Sequence, residues 1–181
     1  PDLEGLKAAQ DLLATDISNG RTALETLAKR GSVLAMLALA TSFQRANPPN
    51  LLHAEPWFRA AYERGALTAF LGLVTCLYRR GELVAAENIS TEGAARGDAV
   101  AMGWLAHLKL RRDMANLPEA VALLREAAAQ GQVRASMQLA HLEIRGRLGL
   151  HLIPLGIARA IYTAFRAYVI GARDLDDRLL R

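Results

Sequence analysis

The sequence predicts an all-α fold built from a repeated pair of antiparallel helices, and three observations support it. Hydrophobic residues make up 52% of the 181 residues and charged residues 22%, which is enough apolar side chain to bury a core. Ala and Leu dominate while aromatic residues reach only 6%, a balance that favours helix over strand. The third observation is a glycine that recurs at a nearly constant spacing.

Four glycines mark the repeat. The residue four positions after each is Ala, the residue eight positions after is Leu, and the ninth is small. Positions four and eight share one face of a helix, so the pattern predicts a helix, called helix A, that packs through its Ala/Leu face. Gly5, followed by Ala9 and Leu13, adds a further copy at the start of the chain. The four glycines lie 34, 32 and 34 residues apart: Gly31, Gly65, Gly97 and Gly131.

Each of these glycines also ends the preceding helix, called helix B, because glycine adopts the left-handed conformation of a helix C-terminus at no steric cost. Arg30, Arg64 and Arg96 precede three of them, where a cation suits the helix dipole. The stretch 47–50, Asn-Pro-Pro-Asn, separates the two helices of its copy. We therefore expect ten helices, alternately A and B, at 3–15, 20–30, 32–46, 52–64, 66–80, 82–96, 98–112, 117–130, 132–145 and 154–171.

The helices predict a single α-solenoid repeat domain over residues 1–171, followed at 172–181 by a C-terminal tail or the start of a further helix. The first residues show no basic segment followed by an apolar run, so no signal peptide is expected. The chain begins with Pro1 rather than Met, as a fragment or a processed form would. Cys76 is the only cysteine, which excludes an internal disulfide and leaves both cytoplasm and periplasm open.

The repeat resembles the Sel-1-like repeat (SLR) family, a relative of the tetratricopeptide repeat. The family pattern of helix B is an aromatic pair, then Ala-Ala, then Gly, and residues 57–65 read Trp-Phe-Arg-Ala-Ala-Tyr-Glu-Arg-Gly. Residues 124–131 repeat this pattern without the aromatic pair. In helix A the family's Gly after Leu is replaced by Ala or Val. The family's aromatic position in helix A is occupied here by Phe43, Leu77, Lys109 and Glu143.

The resemblance covers about residues 3–171 and carries expectations for fold and function. It implies a right-handed superhelical solenoid of about five helix-turn-helix hairpins, in which Gly81 and Gly146 end helices A. It also implies a non-enzymatic scaffold or adaptor that binds a protein or peptide partner through its concave groove. Families of this kind serve bacterial envelope, secretion or signalling assemblies.

The predicted groove lies on the side of helix A opposite the Ala/Leu face, at offsets three, six, ten and thirteen from the glycine. Offsets three and six are divided between the groove and contacts among neighbouring A helices. The side chains are apolar with a few polar groups, which suits an amphipathic helix or an extended peptide. The predicted partner-binding residues are Thr41, Gln44, Thr75, Tyr78, His107, Leu110, Arg134, His141 and Ile144.

No residue pattern predicts catalysis. His107 and His141 share an offset in consecutive copies, but a metal site needs three or four ligands, and the same frame offers no Cys, Asp or Glu. Cys76 lies within a helix A and is expected to be a buried small hydrophobe. A Gly-rich phosphate loop, a paired-His zinc motif and a nucleophile elbow are all absent from the sequence. We therefore expect no enzyme, no cofactor and no metal.

The net charge is +4, from 22 basic and 18 acidic residues. This excess is small and spread along the chain, so a nucleic acid is not the expected partner. The Arg content and the basic, apolar last helix nevertheless make an anionic surface, either a nucleic acid or a membrane, the alternative to a protein partner.

The last helix is unusually apolar from Leu148 to Gly171, but Arg159 and Arg166 within it argue against a transmembrane segment. Three interpretations remain open: packing as an ordinary helix B, self-association into a homo-oligomer, and binding to a membrane surface. The candidate association surface is formed by Ile157, Ile161, Phe165 and Tyr168.

Overall fold

The computed structural model describes the backbone of residues 3–179 and the side chains of residues 3–169. The regular structure in this part of the chain is helical, with no strand, which confirms the all-α prediction. Short 3-10 helices, Met114–Asn116 and Leu150–Leu152, precede α8 and α10. The α-helices are α1 (Leu3–Thr15), α2 (Ile17–Lys29), α3 (Val33–Gln44), α4 (Leu51–Glu63), α5 (Ala69–Arg79), α6 (Leu83–Ala95), α7 (Ala99–Arg112), α8 (Leu117–Ala129), α9 (Val133–Ile144) and α10 (Ile153–Leu179).

Two helices begin away from their predicted positions, each for a local reason. α2 begins three residues early because Asp16 is its N-cap. The Asp16 carboxylate accepts hydrogen bonds from the backbone N–H groups of Ser18 (3.0 Å) and Asn19 (3.1 Å). α5 begins three residues late because residues 66–68 form a turn, and Thr68 at its start makes no side-chain cap.

The predicted glycines end α2, α4, α6 and α8 in the left-handed conformation. In the first of these turns, the N–H of Ser32 donates to the carbonyl of Leu27 at 3.1 Å, as in a Schellman motif. Gly81 and Gly146 have φ angles of 82° and 65° and follow α5 and α9, as expected. The φ angles of the four repeat glycines are 94°, 85°, 82° and 87° at Gly31, Gly65, Gly97 and Gly131.

α10 departs from this rule and continues past its predicted end at residue 171. In α10 the buried small residue is Gly156, and the position eleven residues later is Ala167, which lets the helix propagate. Gly171 therefore lies inside the helix, and residues 172–179 extend it, while 180 and 181 lie outside the described residues. In each of the other B helices, a buried small residue lies eleven residues before the glycine that ends the helix. These residues are Gly20, Ala54, Ala86 and Ala120.

Contacts divide the chain into two compact units, Pro1–Ala86 and Glu87–Arg181. In the first unit α1 packs on α2, α2 on α3, α3 on α4 and α4 on α5. In the second, α7 packs on α8, α8 on α9 and α9 on α10. Within each unit, then, helices that follow one another in the chain are neighbours, as in an array of helical hairpins. A single repeat domain over residues 1–171 stays a prediction.

The Ala/Leu frame forms the core of both units. The Ala at offset four lets a neighbouring helix approach closely, while the Leu at offset eight fills the space beside it. The first copy differs, since Ala9 is buried but Leu13 is only half-buried beside a cleft. In the other copies each Ala is 0% exposed and each Leu at most 5%: Ala35, Ala69, Ala101 and Ala135, with Leu39, Leu73, Leu105 and Leu139.

Candidate functional site

A cleft of about 930 Å³ opens in the first unit between α1, α2, α3 and the loop that follows α3. Its size and its mixture of apolar walls with a few polar groups are typical of binding sites. We call it the N-terminal cleft. The lining residues are Leu6, Gln10, Leu13, Ile17, Arg21, Leu34, Leu37, Ala38, Thr41, Ser42, Arg45, Ala46 and Asn47.

A close contact between α1 and α2 positions one wall of the N-terminal cleft. Gly20 faces the backbone of Leu13 so closely that an added Cβ would overlap the Leu13 backbone nitrogen and Cα. This contact holds α2 directly on α1, and Ile17 and Arg21 of α2 then line the cleft opposite α3.

Arg21 is held in place by three interactions with α3. Its Nε donates to the Ser42 hydroxyl oxygen at 3.1 Å and its Nη2 donates to the Ser42 carbonyl oxygen at 2.8 Å. The guanidinium carbon also lies 4.4 Å from the centre of the Phe43 ring, within the range of a cation–π interaction. The cleft therefore contains a positively charged group whose position is set before any partner binds.

The predicted groove residues of the first unit are all half-buried. Thr41 lines the N-terminal cleft together with Leu34 and Leu37 of the same helix face. Gln44 lies at the end of α3 with its Nε2 3.9 Å from the sulfur of Cys76 on α5. Thr75 and Tyr78 lie on α5. Only Thr41 of these four borders the cleft.

Cys76 is fully buried, as the sequence predicts. Burial is the main cause that raises the pKa of its thiol to about 11, and the charge of Glu55 adds to the rise. A thiol with this pKa carries almost no thiolate at neutral pH, so its chemical character is that of a small apolar side chain.

In the second unit, the predicted residues His107 and Arg134 meet around Trp104. The His107 ring lies edge-on to the Trp104 ring at a centroid distance of 5.8 Å. The Arg134 guanidinium carbon lies 4.6 Å from the centre of the same Trp104 ring. Burial lowers the pKa of His107 below its ordinary value, and the nearby positive charges of Arg134 and Arg111 lower it further. His107 is therefore a neutral ring at physiological pH.

The remaining predicted residues of the second unit have different surroundings. Leu110 is half-buried and packs against the core formed by α7, α8 and α9. His141 and Ile144 are exposed on α9, as is Arg134. Among the described side chains, no group of three or more His, Cys, Asp or Glu residues could hold a metal ion.

The candidate association surface lies on the exposed side of α10. We call Ile157, Ile161, Phe165 and Tyr168 the outer face of α10. The opposite side of the helix packs on α9, where Arg159 donates to both carboxylate oxygens of the buried Glu143, at 3.0 and 3.2 Å. The exposed fractions on the outer face are 48% for Ile157, 67% for Ile161, 65% for Phe165 and 74% for Tyr168.

The sequence pattern did not point to several residues of these sites. The groove was predicted from positions in helix A alone, so the prediction omits Arg21 and Ile17 on α2 and the loop residues Arg45 and Asn47. Asp16 directly before Ile17 is an N-cap signal that would have extended α2 to include the cleft wall. Trp104 was not predicted either, although it lies one helical turn before His107.

The hydropathy of the helices bears on membrane interaction. Among the described residues, no helix combines the length and the apolar composition that crossing a bilayer requires. Even α10, the longest, carries Arg159 and Arg166 in its apolar stretch.

Comparison with known proteins shows the fold. No family model matches the chain, and no curated protein matches it. A solved structure does: a protective antigen present in uropathogenic Escherichia coli strains, which displays an SLR fold. The two chains are 23% identical, with a TM-score of 0.66 over 87% of this chain. The match spans 37% of the antigen, so the present chain corresponds to little more than a third of that protein. This likeness establishes the helical-repeat architecture that the resemblance implies.

Proposed function

We propose that this protein is a non-enzymatic scaffold that binds a protein or peptide partner, with the N-terminal cleft as its principal contact. The observation that carries the proposal is the cleft itself, an open volume of about 930 Å³ with the prearranged cation Arg21 in its wall. A fixed polar group among apolar walls orients a partner at a low entropic cost. The helical-repeat fold supports the proposal, since such repeats commonly present extended binding surfaces.

The face of the A helices outside the cleft suits the same kind of partner. Large apolar side chains on this face are about half exposed in both units: Leu71 on α5, and Met137 and Ile144 on α9. Spaced apolar side chains of this kind match the apolar residues of an amphipathic helix or an extended segment. We propose that Gln44, Thr75 and Tyr78 in the first unit, and His107, Arg134 and His141 in the second, supply polar contacts to that partner.

The setting we propose is a bacterial envelope, secretion or signalling assembly. The antigen of similar fold is a bacterial protein, present in Escherichia coli strains. A scaffold role also agrees with the residue chemistry, because the only thiol, that of Cys76, is buried.

An anionic surface is the less favoured partner. Some of the arginines are engaged by acidic side chains within the same unit. Arg80 and Arg59 both contact Glu55, and Arg112 lies 3.5 Å from Glu87. Such pairs leave fewer cations for phosphates, so we expect weak and strongly salt-dependent binding to nucleic acid or anionic lipid.

An affinity pull-down with mass spectrometry tests the proposal. The cleft variant carries Leu34→Glu and Thr41→Glu, which place two charges in the N-terminal cleft. The control carries Leu52→Glu and Thr22→Glu, two exposed positions of the same unit outside the cleft. Circular dichroism must show equal helix content for all three proteins.

We expect a partner that the wild type and the control retain and whose recovery falls at least tenfold with the cleft variant. The reason is that two charges deprived of water oppose an apolar contact. A partner that binds all three proteins equally would show that the cleft is not the site. Loss of the same partner on raising salt from low to moderate concentration, with no effect of the cleft variant, would instead favour the anionic-surface alternative.

A further inference from the structure

The outer face of α10 differs in chemistry from the same face of the other B helices. Ala167 occupies the position of the missing glycine. Phe165 lies two residues before it (position two) and Ile161 six residues before it (position six). In the other four copies, the residue two positions before the glycine is never large and apolar: Lys29, Glu63, Ala95 and Ala129. Position six is hydrophilic in all four: Glu25, Arg59, Thr91 and Arg125. The apolar surface is therefore particular to α10 and does not follow from the repeat.

The outer face is not required to hold α10 in place. The opposite side of the helix makes the contacts with α9, with Gly156 against the α9 backbone and Thr163 buried. Arg159 binds the buried Glu143, and the Arg166 guanidinium lies beside the turn at Gly131. Four exposed large apolar side chains on an already anchored helix indicate an interaction surface.

The spacing along this face is that of a helix–helix seam. Ile161, Phe165 and Tyr168 are four and three residues apart, and the sequence continues the alternation at Ala172, Leu175 and Leu179. The side chains of these last three lie outside the described residues, but the backbone is helical to Leu179. Apolar residues at alternating spacings of four and three form the a and d positions of a coiled coil.

We propose that the outer face of α10 pairs with α10 of a second copy of this chain in an antiparallel arrangement. The seam is self-complementary in that direction. With the two-fold axis between residues 166 and 167, Phe165 of each copy faces Tyr168 of the other, so aromatic residues meet at the centre. In the same register position 161 lies opposite position 172 and position 175 opposite position 158, which pairs a large residue type with Ala each time, so the seam is self-complementary in sequence.

The dipoles of the two helices favour the same direction. An antiparallel pair opposes the two helix dipoles, which then attract each other, whereas a parallel pair aligns them.

A membrane surface is the competing occupant, and the arrangement of arginines disfavours it. A helix that lies in a membrane surface presents its cations along the border of its apolar face. Here Arg159 is engaged by Glu143, and Arg166 is directed to the turn at Gly131 on the body. The pairing of α10 does not rest on the proposed function, since no residue of its outer face lines the N-terminal cleft.

Sedimentation equilibrium of the full chain over the micromolar range tests the pairing. The seam variant carries Ile161→Glu and Phe165→Glu. The matched control carries Ala167→Glu on an exposed, off-seam position of α10 and Leu52→Glu on α4. We expect a dimer whose dissociation constant rises about 100-fold in the seam variant, because paired charges lose their water in the seam, and about twofold at most in the control.

A spin label tests the direction of pairing. His151→Cys gives a labelling site at an exposed position just before α10, while the buried Cys76 stays unlabelled. Antiparallel pairing about residues 166 and 167 separates the two labels by about 45 Å, at 1.5 Å of helix rise per residue, whereas parallel pairing brings them within about 20 Å.

Three outcomes would overturn the proposal. The first is a wild-type chain that stays monomeric across the concentration range, and the second is a dimer equally stable in the seam variant. The third is a short label distance. Co-sedimentation of the monomer with phosphatidylserine and phosphatidylcholine vesicles, abolished in the seam variant, would assign the outer face of α10 to a membrane surface instead. Because these measurements involve no partner of the N-terminal cleft, they can fail or succeed independently of the proposed function.

Discussion

At the scale of single residues, glycines set how closely the helices approach. An added Cβ at Gly20 would overlap the backbone of Leu13, and one at Gly72 would overlap the buried ring of Phe58. In contrast, an added Cβ at Gly103 meets its nearest neighbour at 3.7 Å, an ordinary contact. All three glycines lie inside helices, where Ala is intrinsically more stable by about 1 kcal/mol. Packing therefore explains Gly20 and Gly72 but leaves Gly103 replaceable.

The pair Gly20→Ala and Gly103→Ala tests this difference. We expect Gly20→Ala to lower the free energy of unfolding by about 2 kcal/mol, because rigid backbone in α1 cannot yield to the new methyl group. Gly103→Ala should raise it by about 0.5–1 kcal/mol through helix propensity. Urea denaturation followed by circular dichroism measures both. A stabilising effect of Gly20→Ala would contradict the close contact of α1 and α2.

At the scale of the helical hairpin, one contact between helix A and helix B is made by different residue types in different copies. The residue twelve after the repeat glycine, which is aromatic in the SLR pattern, faces helix B of its own hairpin. Phe43 meets the ring of His53 at 5.5 Å, and Lys109 binds Glu119 at 3.0 Å. In the last copy Glu143, 2% exposed, binds Arg159. In the fourth and fifth copies an ion pair across the hairpin thus occupies the place of the aromatic residue.

Helix starts also differ among copies, and an N-cap comparison checks this. The Asp98 carboxylate accepts from the N–H groups of Val100 (2.7 Å) and Ala101 (3.1 Å) at the start of α7, whereas Thr68 at the start of α5 makes no side-chain cap. We expect Asp98→Ala to lower the free energy of unfolding by about 1 kcal/mol and Thr68→Ala to change it by less than about 0.5 kcal/mol. Thermal and urea unfolding of the two variants decide it, and equal effects would refute the assignment of Asp98 as the cap.

At the scale of the whole molecule, the two compact units each contain one of the two tryptophans, Trp57 in the first and Trp104 in the second. In repeat proteins, stability is approximately a sum of local terms and nearest-neighbour contacts. A local change in one unit should therefore act more strongly on that unit than on the other.

Fluorescence of single-tryptophan proteins tests this expectation. In the Trp104→Phe background the emission reports the first unit, and in the Trp57→Phe background it reports the second. Adding Gly20→Ala should lower the urea midpoint seen by Trp57 more than the midpoint seen by Trp104, since Gly20 belongs to the first unit. Equal shifts of both midpoints would show instead that the chain unfolds as one cooperative body.

The repeat glycines, the Ala/Leu core and the buried Cys76 could be predicted from the sequence, because each depends on local conformation or on a periodic pattern that one helix contains. Of the ten α-helices described, nine end within two residues of the predicted position, and six of these nine end at a glycine. The predicted end of α10 was wrong. The glycine that would end this helix is missing from position 167, and this becomes apparent only when the buried Gly156 is aligned with the buried small residue of each other helix B.

The proposed binding surfaces were only partly predictable. The face of the A helices, including Thr41 and the pair His107 and Arg134, follows from the helical period, since residues on one face recur at fixed offsets. The N-terminal cleft does not follow from it, because Arg21 is positioned by contacts between different helices: Gly20 packs on Leu13 of α1, and Arg21 binds Ser42, 21 residues away in sequence. The sequence by itself determined the architecture, through local conformational preference repeated five times. Only the tertiary structure decided where the cleft opens and which side of α10 is exposed, because both depend on how closely particular helices pack.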